Sequence, residues 1–471
     1  MTITQKSELY RQLPSVDEVL HSTELKPLLE RETHHAVAEA VRTVLARLRD
    51  EISGLRLASS EDLKLAVAGL SDAVERQLRS AMEFSLKHVI NATGVVLHTN
   101  LGRAPLAQSA LQRISDVAGR YTNLEFDIGA GQRGKRDVHV EQLFSRILNQ
   151  EGVSGMRTVV VNNCAAAVML ALNTLAEGGE VIVSRGELVE IGGSFRVPDV
   201  MTKSGARLRE VGTTNRTRIE DYERAINDNT RLLLRVHRSN FAIIGFTEQP
   251  TLEELCELGH KHNIPVMEDL GGGALLPLRS LGVNESGVAD SLRAGVDLVT
   301  YSGDKMLGGL QAGMLTGRED LVRRVRSNPL FRALRVDKLI YAALQATLME
   351  YVRQNHDAIP FVRMLRIPAE EIRKRAERMV EKLAQALHLK AEIVAGESLV
   401  GGGSAPTTTL PTFLIAVTAQ SLSADQVAER LRLETPSIVG RVEEGRVLLD
   451  LRTVFEDQDE LLVNALRKLG S

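Results

Sequence analysis

Two stretches of sequence decide the fold of this 471-residue chain: residues 264–273, IPVMEDLGGG, and residues 298–309, LVTYSGDKMLGG. Each begins with an apolar run typical of a buried strand and ends in polar and glycine-rich sequence typical of a loop. Asp269 therefore stands at the end of one predicted strand, and Lys305 stands just beyond the other. Because ligands bind at the carboxyl ends of strands in open α/β sheets, we expect both side chains in one cleft.

Short apolar runs alternate with helical segments through the middle of the chain. The pattern predicts strands at 158–161, 181–184, 232–236, 265–268 and 298–302, and helices at 165–176, 219–227 and 251–262. Such alternation is typical of βαβ units, in which parallel strands are covered on both faces. We therefore predict an α/β domain with a mainly parallel central sheet over residues 88–336.

The two flanks of this domain have other patterns. Residues 1–87 carry apolar residues at helical spacing, with a predicted turn near 53–60, which indicates a helical bundle or an oligomerisation arm. Residues 337–471 are predicted to form an α+β domain. Its expected helices are 337–354, 369–387, 424–433 and 460–469, and its expected strands include 412–417 and 446–451.

Composition excludes several classes of protein. The chain is 43% hydrophobic and 25% charged with a net charge of −3, as in ordinary soluble proteins. Two cysteines do not make a disulfide framework, and no apolar run has membrane-spanning length. The N-terminus lacks the apolar core of a signal peptide, so we expect a cytoplasmic protein. Residues 1–87 contain 12 Lys and Arg against 14 Asp and Glu, which is not the basic footprint of a nucleic-acid-binding domain.

Lys305 and Asp269 together fit the chemistry of pyridoxal 5'-phosphate (PLP). A lysine forms an imine with the carbonyl of the cofactor, and a carboxylate keeps its pyridine nitrogen protonated. Taken singly, Lys305 also fits a solvated lysine and Asp269 a turn-forming residue. Their occurrence at two strand ends favours a PLP site, with Ser302 as a further cofactor-binding candidate.

Residues 162–168, NNCAAAV, predict a phosphate site. The strand at 158–161 leads directly into a helix of small residues, and free N–H groups at a helix N-terminus bind phosphate. Cys164, Ala165 and Ala166 are the candidates, with tight helix–sheet packing as the alternative. No neighbour in the sequence would activate the Cys164 thiol, so we interpret that side chain as a packing residue.

A polar segment, HVINATGVVLHTNLGRAPL at 88–106, precedes the sheet. It has too many polar residues and glycines for a plain strand or helix. We expect a loop that covers the active site. His98 in this loop is either a structural residue or a catalytic one.

Long strings in this sequence resemble the bacterial selenocysteine synthase family, L-seryl-tRNA(Sec) selenium transferase, whose fold is the aspartate-aminotransferase-like (type I) PLP fold. The strings are NATGVVLHTNLGRAPL from Asn91, NNCAAAV from Asn162, SRGELVEIGGSFRVPDVM from Ser184, VGTTNRT from Val211, VHRSNFAIIGFTE from Val236, SGDKMLGGLQAG from Ser302, NPLFRALRVDK from Asn328 and GGGS from Gly401. The resemblance covers nearly the whole chain.

The resemblance implies a reaction on serine esterified to tRNA(Sec). The seryl amino group would displace Lys305 from PLP, and Lys305 would then remove the α-proton. Loss of the hydroxyl would give a PLP-bound aminoacrylyl-tRNA, to which selenium from selenophosphate adds. Asp269 would hold the pyridinium, and Asp304 is a second catalytic candidate.

The resemblance also implies that Arg103, Arg332 and Arg335 bind selenophosphate, and guanidinium groups suit such oxyanions. Without it, Arg332 and Arg335 would be surface residues on one helix face, because they are three positions apart. The remaining candidates are His237 and Asn240, for contact with the PLP ring or its hydroxyl, and Phe195, for stacking on the ring.

Members of this family assemble into a decamer, which is a pentamer of dimers. Their N-terminal domain binds the tRNA. The resemblance therefore implies a homodecamer, with a tRNA contact that includes arginines such as Arg42, Arg47, Arg49 and Arg56. Two alternatives remain. One is a PLP lyase of the same fold that acts on a free amino acid or amino-sugar acid. The other is a tRNA-binding or scaffold protein without catalysis, against which the intact Lys305 and Asp269 argue.

Overall fold

The computed structural model describes residues 3–54, 56–57, 59–192, 195–384, 388–403 and 405–470. The chain divides into two compact units, Met1–His88 and Val89–Ser471. The division falls next to residue 87, where we expected the N-terminal domain to end. Val89–Ser471 forms a single compact unit, so the predicted boundary between residues 336 and 337 stays a prediction.

The first unit is helical. Its helices are α1 Ile3–Gln12, α2 Val16–Leu20, α3 Lys26–Arg31, α4 His34–Ser53, α5 Ser60–Ala68 and α6 Leu70–Met82. Thr33 caps the long α4, since its side chain accepts a hydrogen bond from the Ala36 N–H. An apolar stripe of α4 that includes Val41 and Leu45 packs in one core with Val74 and Leu78 of α6. The helices predicted from residue spacing are confirmed.

The second unit contains every strand that the structure describes, together with the remaining helices. The strands are β1 Val89–Asn91, β2 Phe126–Asp127, β3 Gln132–Arg133, β4 Met156–Val161, β5 Glu180–Ser184, β6 Glu190–Ile191, β7 Phe195–Arg196, β8 Arg207–Val211, β9 Thr230–Val236, β10 Val266–Gly271, β11 Leu298–Ser302, β12 Gly313–Arg318, β13 Leu389–Gly401, β14 Ala405–Ala419, β15 Ser437–Val439, β16 Arg441–Glu443 and β17 Arg446–Asp450. The helices are α7 Gln108–Ala118, α8 Val138–Gln150, α9 Cys164–Ala176, α10 Val197–Ser204, α11 Ile219–Ala225, α12 Leu252–His262, α13 Val288–Arg293, α14 Glu319–Ser327, α15 Pro329–Leu334, α16 Lys338–Val352, α17 Pro360–Arg366, α18 Ala369–Leu383, α19 Ala424–Leu433 and α20 Asp459–Arg467.

The central sheet has seven strands in the order β4-β12-β11-β10-β9-β5-β8. β12 runs antiparallel to β4 and β11, and the other neighbouring strands are parallel. The predicted α/β fold with a mainly parallel sheet is confirmed. Sequence patterning missed β8 and β12, because β8 is a partly exposed edge strand with charged residues and β12 contains two glycines.

Alternate residues of the strands enter cores on opposite faces of the sheet. In β4, Val160 belongs to one core, whereas Val159 and Val161 belong to the other. This alternation is the ordinary geometry of a strand, and burial on both faces explains the continuous apolar runs in the sequence.

The polar segment at 88–106 is joined to the C-terminal part of the chain. Val89–Asn91 forms β1 and pairs in parallel with β15, and Thr93 and Val95 make bridges to Asp450 and Leu399. The three-residue strand β1 was not predicted, because its backbone bonds to a strand far along the chain. The four-stranded antiparallel sheet β13-β14-β17-β16 provides Asp450 and Leu399.

Candidate active site

Three adjacent strand ends bring the principal candidates together. Asp269 of β10 lies beside Val236 of β9 and Thr300 of β11 in the register of the sheet. His237 follows β9, and its backbone N–H donates to the carbonyl of Asp269 at 2.9 Å. Lys305 follows β11. The ends of parallel strands meet at one edge of a sheet, which explains this arrangement.

A cavity of about 320 Å³ opens at this edge. Its wall includes both residues on which the PLP prediction depends, Lys305 and Asp269. The complete lining is Arg103, Asn163, Cys164, Ala165, Val168, Gly192, His237, Ser239, Asp269, Gly271, Ser302, Lys305 and Gln311. Seven of the residues singled out from the sequence therefore surround one space.

The carboxylate of Asp269 is held in a buried position. Its Oδ1 accepts hydrogen bonds from Cys164 Sγ at 3.4 Å and from Thr300 Oγ1 at 3.1 Å. Burial raises the pKa of Asp269, against the opposing effects of these bonds and of the charges on Lys305 and His237. A cationic ring nitrogen placed beside Asp269 would compensate its buried charge, so the site fits a protonated pyridine.

Two glycines lie close to the amine of Lys305. The residue is 8% exposed, and a Cβ added to Gly271 or Gly403 would lie 3.8 or 3.7 Å from Nζ. Both glycines have positive φ, +67° and +81°, where other residues are strained. Gly403 belongs to the glycine segment that begins at Gly401, and Ser404 lies outside the described residues.

The start of α9 is the predicted phosphate site. Cys164 and Ala165 line the cavity, but the N–H of Ala166 donates to the side chain of Asn163, which caps the helix. This N–H is therefore already used. A Cβ at Gly313 would come within 2.0 Å of the Asn163 carbonyl, so glycine permits β12 to approach the helix start.

Asp304 forms a small polar network beside Lys305. Its Oδ2 accepts from Arg103 Nη1 and its Oδ1 accepts from Ser302 Oγ, both at 2.7 Å. Asp304 is buried and is not part of the cavity lining, whereas Arg103 and Ser302 are. Asp304 therefore contacts two residues of the cavity wall from outside the lining, and its catalytic role stays a prediction.

Three predicted site residues do not line the cavity, and the side chain of a fourth lies outside the described residues. Arg332 is exposed on α15, and Arg335 follows the end of that helix in extended backbone, where Nη1 donates to Glu125 at 3.2 Å. The prediction of one shared helix face is wrong, because α15 ends at Leu334. Asn240 is exposed and donates to a backbone carbonyl, and the side chain of Phe195 lies outside the described residues.

Sequence reasoning missed Ser239 and Gln311 in the cavity wall. Ser239 Oγ and His237 Nδ1 are buried without a hydrogen-bond partner among the described residues. Buried polar atoms are normally paired, so a bound polar group would complete this site. The position of Ser239, two residues after His237 in the same polar stretch behind β9, was the available signal.

The described residues contain no group of three His, Cys, Asp or Glu side chains arranged to hold a metal ion. None of the helices described is long and apolar enough to cross a membrane.

Comparison with known proteins gives the family. The family model described as L-seryl-tRNA selenium transferase matches residues 89–455, and a model described as selenocysteine synthase N terminal matches residues 10–49. The chain belongs to the L-seryl-tRNA selenium transferase family. The resemblance inferred from the motifs is confirmed.

Relatives in this family match along almost their whole length. The L-seryl-tRNA(Sec) selenium transferase of Geobacter sulfurreducens is 46% identical over 468 residues, covering 98% of this chain and 100% of the relative. That of Aquifex aeolicus is 44% identical over 466 residues, with 98% and 99% covered. A solved structure of D-glucosaminate-6-phosphate ammonia-lyase aligns with a TM-score of 0.57 at 22% identity, over 82% of this chain and 96% of that one, and shares its fold.

Proposed function

We propose that the chain is a PLP-dependent enzyme that converts L-seryl-tRNA(Sec) to L-selenocysteinyl-tRNA(Sec) with selenophosphate as the selenium donor. The observation that carries this proposal is the shared cavity of Lys305 and Asp269 at adjacent strand ends, in a chain of this family. The substrate is inferred from the names of the relatives, and the cofactor is inferred from the residues that line the cavity.

The residues present fit PLP. Lys305 would form an imine with the aldehyde, Asp269 would face the ring nitrogen, and the helix start at Cys164 and Ala165 would receive the phosphate. When bound, PLP withdraws electrons from the α-carbon of the amino acid attached to it. Burial of Asp269 strengthens its interaction with a ring cation, because the local dielectric constant is low.

Lys305 is the residue suited to move a proton at the substrate. With the substrate's amino group bound to the cofactor, the amine of Lys305 would be free, and it is the group suited to act as general base at the α-carbon. A general base must be held within hydrogen-bond reach of its proton. Asp304, the residue before Lys305, is hydrogen-bonded to Ser302 and Arg103, and these bonds would restrain the backbone next to the lysine.

Selenophosphate would bind through arginine side chains. Arg103 lines the cavity, and its Nη1 is paired with Asp304, which leaves other N–H groups of the fork for an oxyanion. Arg332 and Arg335 are proposed as further contacts because of their place in the family motif. Neither lines the cavity.

The helical first unit is proposed to bind the tRNA, on the strength of the family match over residues 10–49. Arg42, Arg47, Arg49 and Arg56 are exposed there. We also propose a cytoplasmic homodecamer built as a pentamer of dimers. Analytical ultracentrifugation with and without seryl-tRNA(Sec) tests the assembly, and a monomer that binds the tRNA normally would contradict it.

The deciding experiment uses the purified full chain loaded with PLP. Near-visible imine absorbance is expected, and incubation with seryl-tRNA(Sec) and radioactive selenophosphate should yield selenium attached to tRNA. Lys305→Ala should lose both. Turnover of free serine or an amino-sugar acid, with charged tRNA ignored, would instead identify a lyase. Binding of tRNA without any imine band would identify a scaffold.

A further inference from the structure

His237 is bonded to a carboxylate that sequence motifs did not single out. Its Nε2 lies 2.8 Å from Oε2 of Glu285, in the segment before α13. Both side chains are largely buried, with 23% of His237 and 15% of Glu285 exposed. His237 lines the cavity, whereas Glu285 does not. Glu285 therefore contacts the cavity wall through the imidazole ring.

The hydrogen bond to Glu285 sets the orientation of the His237 ring. Nδ1, the other ring nitrogen, is buried and has no partner among the described residues. The ring nitrogens of a histidine are distinct, and the bond made by one sets the role of the other. Without Glu285, no hydrogen bond within the described residues would hold the ring against rotation about its side-chain bonds.

The surroundings also bear on the charge of the ring. Burial lowers the pKa of His237, but the hydrogen bond and charge of Glu285 outweigh it, assisted by Glu268 and Asp269, so the pKa is raised overall. The same cavity wall contains two cations, Lys305 and Arg103.

We propose that Glu285 is a positioning residue, which holds the imidazole of His237 in one orientation, as an ion pair, at the wall of the cofactor cavity. This inference rests on the proposed PLP function and adds a residue to it. Its consequence is a fixed positive charge near the imine of Lys305. Such a charge opposes protonation of the imine, as any nearby like charge does.

The test is a double-mutant cycle on the PLP-loaded full chain, with variants Glu285→Gln, His237→Gln and the two combined. Two quantities are measured without turnover: the pH midpoint of the imine absorbance and the dissociation constant of PLP. Glu285→Gln should move the midpoint upward by roughly 0.5–1 pH unit, because the neighbouring ring loses its charge. PLP should bind about tenfold more weakly.

In the His237→Gln background, Glu285→Gln should change both quantities much less than it does in the wild-type background. Glu285→Asp keeps a carboxylate and should recover part of the effect. Glu350→Gln removes another buried carboxylate, one that accepts from Asn355 outside the cavity, and controls for general damage to the fold.

The outcomes separate the two proposals. Equal effects of Glu285→Gln in the wild-type and His237→Gln backgrounds, or a midpoint unmoved in both, would overturn the positioning role while leaving the PLP function intact. Absence of the imine band from the wild-type protein would overturn both.

Discussion

Arg103 Nη1 lies 2.7 Å from Asp304 Oδ2, although the two residues are separated by much of the α/β domain. The guanidinium is partly exposed and the carboxylate is nearly buried, with 31% and 9% of the side chains accessible. Arg103 also has a left-handed backbone, with φ +62°, which is uncommon outside glycine. The pair therefore fixes a cation beside the residue preceding Lys305.

Replacing the Arg103 guanidinium by an ammonium group should weaken binding of the selenium donor. In Arg103→Lys, a single ammonium replaces the planar fork and cannot reproduce the fixed geometry in which separate nitrogens face Asp304 and an oxyanion. We expect the KM for selenophosphate to rise about tenfold or more, with the KM for seryl-tRNA(Sec) nearly unchanged. Steady-state kinetics in each substrate measure this. Equal changes in the two constants would point to a general distortion of the cavity.

Asp269→Asn should separate stability from function. Because the pKa of Asp269 is raised in the folded chain, its ionised carboxylate destabilises the cofactor-free protein. This destabilisation is present at pH values above the pKa that Asp269 has in the unfolded chain. We expect the Tm of the cofactor-free variant at pH 8 to equal or exceed that of the wild type. Its activity should fall by a factor on the order of 10² or more, since the ring nitrogen loses its counter-charge.

Thr300→Val is the matched control for that substitution, because it removes one donor to the same carboxylate and leaves the charge in place. A smaller loss of activity is expected. A variant Asp269→Asn that keeps full activity would show that the cofactor ring has another partner.

The His237–Glu285 pair should make stability depend on pH. Because the pKa of His237 is raised, the pair contributes fully to the free energy of unfolding below the ordinary value of 6.5. That contribution is lost as the pH rises through the raised pKa. Glu285→Gln should therefore destabilise the cofactor-free chain by about 1–2 kcal/mol at pH 6 and by less at pH 9. Urea unfolding at both values checks this, and a constant difference would exclude titration of the pair.

Both cysteines should resist alkylation in the folded chain. Burial raises the pKa of Cys164 well above its usual range and that of Cys256 to about 12, and the thiolate is the reactive form. Iodoacetamide at pH 8 should label neither quickly, and both should react after unfolding in urea, as read by peptide mass spectrometry. Rapid labelling of Cys164 in the native chain would mean that the cavity activates this thiol.

Sequence patterns predicted the buried strands well, because strands covered on both faces must be apolar throughout. They also predicted which strand ends carry Lys305 and Asp269, because each residue lies in the sequence where an apolar run gives way to a polar, glycine-rich stretch. Edge strand β8 carries charges on its exposed positions and was missed for that reason. Local patterns contain no information about partners distant in the chain, such as β1 and β15.

The same limit applies to the site. Arg335 was placed on a helix because spacing cannot show that α15 stops at Leu334. Glu285 stands in an ordinary polar loop, and only the folded chain brings it to His237. The motif strings were informative because they record a whole family's site, whereas the periodicity of apolar residues records only which faces are buried.

The closeness of Gly271 and Gly403, which have no side chains, to the amine of Lys305 has a consequence for turnover. In the proposed reaction the lysine must leave the cofactor and return to it in every cycle, so its side chain must sweep through neighbouring space. The absence of a side chain at these two positions leaves room for part of that movement. A methyl group added to either glycine would lie in van der Waals contact with the amine and would narrow its path.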